Sequence, residues 1–407
     1  MGWDPVTGQK TIVTGQVCRK FYRKGHCHKG DKCPYVHTLE RPPDKVPDKV
    51  ANYKNEEHAK HREHKKRQRL RNIKSHLEEC ARVANTAAER FNLEIKDGEY
   101  DVSQWFCPPA AASVTEEPPI DWCIVPESCA MPVNFHPFRK QRKQWQVDNI
   151  AYLLQKLLPT LESRAQTSRG KSARIKVADF GSGSGNITLP LAFAFPDVDF
   201  FLLDMKDSAC ILADKRSKEA GLSNVFVKCG MIEESDERYD LMLAIHCCGL
   251  ASDLAQLSAF KENAAFIMCP CCLGKIQQFT NDDTKIAPEL VPTYPRSNGL
   301  QQVCSAIEFA TIAAAADHPT ANEDSQITSS DNLDEETVAA NRTRAFCKVI
   351  VERDRQLAAN ERGYSTILTK LNPLAASPKH DVIIGIPGDV DCDLQNIFYP
   401  ESQLVCV

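Results

Sequence analysis

Ile175-Lys176-Val177-Ala178-Asp179-Phe180-Gly181-Ser182-Gly183-Ser184-Gly185 is the stretch on which the reading of this 407-residue chain turns. Ile175 to Phe180 has the length and apolar character of a buried strand. It gives way to glycines at every second position, 181, 183 and 185, and then to a helical pattern from Asn186 through Phe195. Glycine accepts positive φ and lets backbone come close to a ligand. Strand, glycine loop and helix in that order predict a nucleotide-type site. The spacing is Asp-x-Gly-x-Gly-x-Gly, which differs from the Gly-x-Gly-x-x-Gly of dinucleotide-binding loops.

Working outward, strands and helices alternate. Strands are expected at 199–204, 224–229, 240–245, 264–268, 364–370 and 381–386. Helices are expected at about 185–195, 210–220, where Gly221 stops the turn, and 335–362, with a leading helix that runs to about Leu158. Seven strands spaced by helices predict a doubly wound α/β sheet. Ligands of such sheets sit at the carboxyl ends of the strands. That rule nominates Asp204 after the second strand, Gly230-Met231-Ile232 after the third, and His246 with Asp253 after the fourth.

The loop resembles motif I of the class I S-adenosylmethionine-dependent methyltransferases. The resemblance implies a Rossmann-like, seven-stranded sheet and S-adenosyl-L-methionine as cofactor. Asp179, Gly181, Gly183 and Gly185 would surround its methionine part, Asp204 would accept the ribose hydroxyls, and Met231 would flank the adenine. Two further stretches are less generic: His246-Cys247-Cys248-Gly249-Leu250-Ala251-Ser252-Asp253 and Cys269-Pro270-Cys271-Cys272-Leu273-Gly274. Together, from Phe135 through Gly385, they resemble the methyltransferase domain of the glutathione S-transferase C-terminal domain-containing protein family. They resemble, more loosely, the eukaryotic tRNA 2′-O-methyltransferases, although Leu273-Gly274 stands where that family has two histidines.

Methyl transfer to a hydroxyl needs a base, and His246 and Asp253 are the candidates at the fourth strand. His246 is read three ways, as base, as hydrogen-bonding residue, or as a structural histidine. Asp253 is expected to orient it or to act itself. The neighbouring thiols carry three readings. RNA 5-methylcytosine enzymes, whose thiolate attacks a pyrimidine ring, place Pro-Cys after the fourth strand and Thr-Cys after the fifth, whereas this chain has Pro270-Cys271 after the fifth and no Thr-Cys pair. A second metal would use Cys247 or Cys248 with Cys269, Cys271 and Cys272. Otherwise they line the pocket as small apolar side chains.

The N-terminal part is a different kind of sequence. Cys18, Cys27, Cys33 and His37 are spaced C-x8-C-x5-C-x3-H, three thiolates and an imidazole suited to tetrahedral Zn2+. Residues 11–40 resemble the CCCH zinc-finger family, which implies binding of single-stranded RNA. Phe21, Tyr22 and Tyr35 interleaved with Arg19, Lys20, Arg23, Lys24, Lys29 and Lys32 fit stacking on bases and contact with phosphate. Residues 41–133 are expected to be a linker and a long basic helix from about Asn55 to Phe91, and the catalytic body to run from 134 to 407. Residues 1–74 hold 19 Lys+Arg against 8 Asp+Glu, in a chain whose net charge is −4. A basic arm on an acidic body points to a polyanion, RNA or tRNA. No apolar run is long enough for a membrane span, and 18 cysteines without a signal peptide predict a cytoplasmic or nuclear setting. The reading is an RNA-modifying methyltransferase. The alternatives are a non-catalytic RNA-binding protein on the same scaffold and a methyltransferase for proteins or small molecules.

Overall fold

The computed structural model describes residues 76–96, 99–107, 119–131, 136–235, 237–273, 276, 291–317, 335–388 and 394–398. The finger ligands Cys18, Cys27, Cys33 and His37, the basic run at 60–71 and the Asp- and Ser-rich stretch at 318–334 lie outside them. The chain divides into two compact units, Met1–Asn72 and Ile73–Val407. The described residues belong to the second.

In chain order this unit contains α1 (76–90), a small hairpin of β1 (Ile95–Lys96) and β2 (Glu99–Tyr100), and α2 (Pro137–Arg169). Then come β3 (Ile175–Phe180), α3 (Thr188–Ala194), β4 (Val198–Asp204), α4 (Asp207–Glu219), β5 (Val225–Cys229), β6 (Leu241–Ile245), α5 (Leu250–Glu262) and β7 (Ala265–Cys269). After a short helix at Asn298–Gln301 follow α6 (Ala306–Ala316), α7 (Glu335–Asn360), β8 (Tyr364–Lys370) and β9 (Asp381–Pro387). The seven strands run in the order β5-β4-β3-β6-β7-β9-β8. The first five are mutually parallel, and β9 lies antiparallel to both β7 and β8. The order reverses between β3 and β6, so the switch point lies at the carboxyl end of β3, where the glycine loop begins. This is the class I, Rossmann-like methyltransferase topology, with the late antiparallel strand inserted beside β7.

The central strands are apolar on both faces because helices cover both. Val177, Phe200, Leu202, Leu243 and Ile267 point to one side and pack with Ile150, Leu154, Leu157, Leu161, Leu189 and Leu191 of α2 and α3. Ala178, Phe180, Leu203, Met242, Ala244, Phe266 and Met268 point to the other, with Ala255 and Ala259 of α5 and Ala359 of α7. The alternation is the two-residue period of a strand.

Three expectations are corrected. The leading helix does not stop near Leu158. It passes through Pro159 to Arg169, because Leu157, Leu161 and Ala165 continue its buried face. The body does not begin at 134. Cys80, Val83, Ala84 and Ala87 of α1 are buried in one cluster with Phe309, Ile312 and Ala313 of α6 and with Cys347, Ile350 and Val351 of α7. Finally, α6 had no place in the sequence reading. Its Ala-rich run starts at a capping box, in which Ser305 accepts from Glu308 N–H and the Glu308 side chain accepts from Ser305 N–H.

Candidate active site

The glycine loop leaves β3 with Gly181, Gly183 and Gly185 at φ of 73°, 57° and 78°. The three do different work. A Cβ on Gly181 would sit 3.2 Å from Cys247 Sγ, and one on Gly185 would lie 2.8 Å from Leu189 Cγ and 3.0 Å from Leu202 Cδ2. These two let the loop lie flat on the sheet end. A Cβ on Gly183 would meet nothing within 4 Å, so its face is open. The loop is pinned to β4 by Gly181 N–H and Ser182 N–H, which donate to Leu203 O at 2.8 and 3.2 Å.

Asp204 closes the loop from the end of β4. Its Oδ2 accepts from Gly183 N–H at 2.8 Å and its Oδ1 from Lys206 N–H at 2.9 Å. A carboxylate oxygen has two lone pairs, so each retains one for a hydroxyl on the open side. Met205 and Met231, 68% and 38% exposed, stand beyond the adjacent ends of β4 and β5. Large exposed apolar side chains at a sheet's ligand end suit the face of a flat ring. Met231 was nominated from the sequence. Met205 was missed, although its place directly after Asp204 was the signal.

Asp179 has a different position from the one expected for a ligand contact. It is buried, and Thr188 at the start of α3 donates a short hydrogen bond to its Oδ2. Burial raises it to about 7, against the hydrogen bond from Thr188. Asp179 therefore fastens strand to helix beneath the loop rather than facing the cleft.

Arg216 of α4, also missed, holds the loop from outside. Its guanidinium donates to Ser184 O at 2.6 Å and Asn186 Oδ1 at 2.7 Å. It donates as well to Ser128 O at 2.8 Å, Ala130 O at 3.0 Å and Cys129 O at 3.2 Å. One planar fork thus staples the glycine loop to residues 126–131. Lysine cannot reach so many acceptors from one point. Arg216→Lys should lower the unfolding free energy by about 2–3 kcal/mol, from several lost bonds to carbonyls. Chemical denaturation reads that loss.

His246 follows β6 at φ 60°, a strained value for a side chain of its kind. Its Nε2 lies 3.0 Å from Gln146 Oε1. The Gln146 amide is oriented by its own donation to Ala376 O at 2.6 Å, so its oxygen faces the imidazole. Nε2 must then carry the proton, and Nδ1 is left as the acceptor. Burial, with Lys143 and Arg142 nearby, lowers His246 to about 4. The ring is neutral at neutral pH and a weak base. Because this value lies below the ordinary 6.5, the stability that His246 contributes is full above pH 6.5 and drains away as pH falls toward 4. An imidazole NMR titration should find it neutral at pH 5.5, where an exposed histidine is mostly charged.

Asp253 does not orient His246; Gln146 of α2 does. Asp253 is fully buried on α5, and its two oxygens accept from Arg355 Nε at 2.8 Å and Nη2 at 2.9 Å. Tyr294 donates to Oδ2 at 2.7 Å. Arg355 also meets Glu352 at 3.3 Å. The carboxylate is an anchor between α5 and α7. Tyr294, Arg296 and Ser297 are tied into the same interior. Asp354 accepts from Arg296 N–H at 2.7 Å, Ser297 N–H at 2.9 Å and the Ser297 hydroxyl at 2.6 Å. The sequence signal for Gln146 was a pair of amides, Gln146 and Asn149, one turn apart at the start of the apolar run Ile150 to Leu154. Asn149 clamps Asn372 through both its backbone groups, at 2.6 and 2.9 Å.

The thiols separate into two kinds. Cys247 packs against Gly181, and Cys269 donates to Lys379 O at 3.4 Å. Both are buried, and burial raises both, Cys269 to about 12. They are neutral packing groups, and neither supplies a thiolate. Cys248, Cys271 and Cys272 instead face one another, with Sγ separations of 3.2, 3.4 and 3.5 Å.

Residues 142–279 match a family model described as a methyltransferase domain. The human glutathione S-transferase C-terminal domain-containing protein is 28% identical over 269 residues, 66% of this chain and 37% of that protein. The chain thus spans less than half the length of the curated relatives it matches first. Ribosomal RNA small subunit methyltransferase G of Thermosynechococcus vestitus is 26% identical over 147 residues, 35% of this chain and 59% of its own. The structure of magnesium protoporphyrin IX methyltransferase from Synechocystis PCC 6803 with bound SAH is 12% identical, covering 63% of this chain and 89% of that one, at a TM-score of 0.31. Among the described residues no helix is long and apolar enough to cross a membrane. By sheet order the second unit has the class I, Rossmann-like methyltransferase fold, and the matched segment lies within it.

Proposed function

We propose that the chain is an S-adenosylmethionine-dependent methyltransferase that modifies RNA, recruited by a CCCH zinc finger and the basic segment behind it. The observation that carries the cofactor is the open face of Gly183 beside Asp204. S-adenosylmethionine supplies an electrophilic methyl group to an in-line displacement. The chain's own residues bind and orient. Gly183 leaves room for the methionine part, Asp204 accepts ribose hydroxyls, and Met205 and Met231 flank the adenine. With Nε2 held by Gln146, the His246 Nδ1 lone pair is the acceptor that the imidazole keeps for a proton leaving the nucleophile. Its weak basicity suits removal late in the transfer, when the attacking oxygen has become acidic.

RNA as substrate is supported by the C-x8-C-x5-C-x3-H spacing and by the excess of Lys+Arg in residues 1–74. The likeness to a ribosomal RNA methyltransferase points the same way. Labelled S-adenosylmethionine incubated with total RNA and the full chain, followed by digestion to nucleosides, is the direct test. Methylated nucleoside is expected, and Cys27→Ser should reduce it without changing cofactor affinity. Label in protein but not in RNA would defeat the RNA assignment.

A second reading has one observation in its favour. Asp253 is committed to Arg355 and His246 is a weak base, so the site has little acid–base power. A cofactor-binding scaffold without turnover predicts tight S-adenosylmethionine binding and no incorporation anywhere.

A further inference from the structure

We propose that Cys248, Cys271 and Cys272 form a metal site that takes a soft cation of the zinc class through three thiolates. Nothing in the proposed methyl transfer uses these residues, and the proposal stands whether or not the cleft accepts S-adenosylmethionine.

The backbone explains why three sulfurs from separate segments meet. β6 and β7 are parallel neighbours, with Ile245 paired to Cys269 at their ends. The pairing continues past the strands: His246 N–H donates to Cys269 O at 3.0 Å, and Gly249 N–H donates to Cys272 O at 2.9 Å. Gly249, at φ 61°, turns the chain back over the strand ends. The two loops are thereby zipped together, and Cys248 is brought opposite the Cys271-Cys272 pair.

The sulfur geometry is that of ligands around one centre. Zinc–thiolate bonds of about 2.3 Å in a tetrahedron place sulfurs roughly 3.8 Å apart. Here the three are 3.2, 3.4 and 3.5 Å apart, a near-equilateral face over which a cation fits with only slight opening. No two of them form a pair that excludes the third. Burial separates this trio from its neighbours: Cys247 and Cys269 are 3% and 0% exposed, whereas all three members of the trio are partly exposed. An all-sulfur donor set selects zinc-like or cuprous ions over magnesium or calcium. Among the described residues no fourth His, Cys, Asp or Glu joins the group. Lys143 of α2 interacts electrostatically with Cys271 and Cys269, and so offsets the negative charge left when three thiolates hold one divalent ion.

Binding replaces three S–H bonds by three S–metal bonds and releases three protons to solvent. The test uses the full chain, reduced and anaerobic, with Cys27→Ser and Cys33→Ser to disable the finger. Titration with cobalt(II) should give one bound ion per chain with an intense thiolate-to-cobalt charge-transfer band. Cys248→Ala or Cys271→Ala should abolish both. Cys272→Ser, which keeps the volume, should weaken binding while leaving the far-UV spectrum and melting midpoint of the metal-free chain unchanged, which separates lost ligation from lost folding. No cobalt in the finger-disabled chain, or equal binding after Cys271→Ala, overturns the site. So does a thiol count showing a Cys248–Cys271 disulfide that survives reduction.

Discussion

Gly183→Arg should leave the protein folded and weaken S-adenosylmethionine binding by at least about a hundredfold, a loss of roughly 2.7 kcal/mol or more. The reason is the difference between neighbouring glycines. The space in front of Gly183 is empty for 4 Å, so a side chain there meets no protein and fills the cleft instead. Its φ of 57° lies in the small left-handed region that L-residues can enter at a cost of about 1–2 kcal/mol. Gly185→Ala is the contrasting variant. Its Cβ would press on Leu189 and Leu202 at 2.8 and 3.0 Å, so overpacking adds about 1–3 kcal/mol to the backbone strain. The first variant loses the ligand and keeps the fold, while the second loosens the fold itself. Calorimetric titration with the cofactor and thermal melting tell them apart. Undiminished binding by Gly183→Arg would remove the basis of the proposed function.

The second large effect is expected at Arg355. Arg355→Met should cost about 3–5 kcal/mol of stability, because it strands two carboxylates in the interior. Arg355 is 1% exposed, and Asp253 and Glu352 are 0% exposed. Both carboxylates depend on its positive charge: the Arg355 guanidinium opposes burial at each, holding Asp253 below the usual carboxylate range and leaving Glu352 only partly relieved. Urea unfolding reads the loss as a lower midpoint. Adding Asp253→Leu to Arg355→Met should recover a good part of it, since the buried charge goes with its partner. The pair also tests the assignment of Asp253. A catalytic carboxylate would show full stability with lost turnover when changed to asparagine, whereas an anchor shows lost stability first.

The sheet was legible in the sequence to within a residue or two at most strand ends, and the reason lies in its composition. Strands covered on both faces read as unbroken apolar runs between turn signals, and β8 at 364–370 agrees with expectation at both ends. The glycine loop was legible because glycine meets its positive φ angles without strain. What the sequence hid were long-range polar contacts. Asp253 stands a few residues after His246 in the chain, and proximity in sequence suggested partnership. A carboxylate on a helix answers to whatever packs against that face, here Arg355, 102 residues later. Gln146 lies 100 residues before the imidazole it holds. Arg216 read as one more charge in a helix full of them. Helix α6 was lost because an alanine run without polar alternation carries no amphipathic stripe. The sorting of five thiols into two packing groups and a facing trio depended on which side of a loop each one takes, which spacing does not encode.

The burial of α1 bears on how the protein is best handled. Its four inward residues, from Cys80 to Ala87, cover an oily seam on α6 and α7. Trimming the N-terminus back to residue 134, where the matched domain is about to begin, would strip that cover and bare the seam to water. Such a fragment should clump on expression, whereas one starting near Ile73 keeps its lining and should remain dispersed.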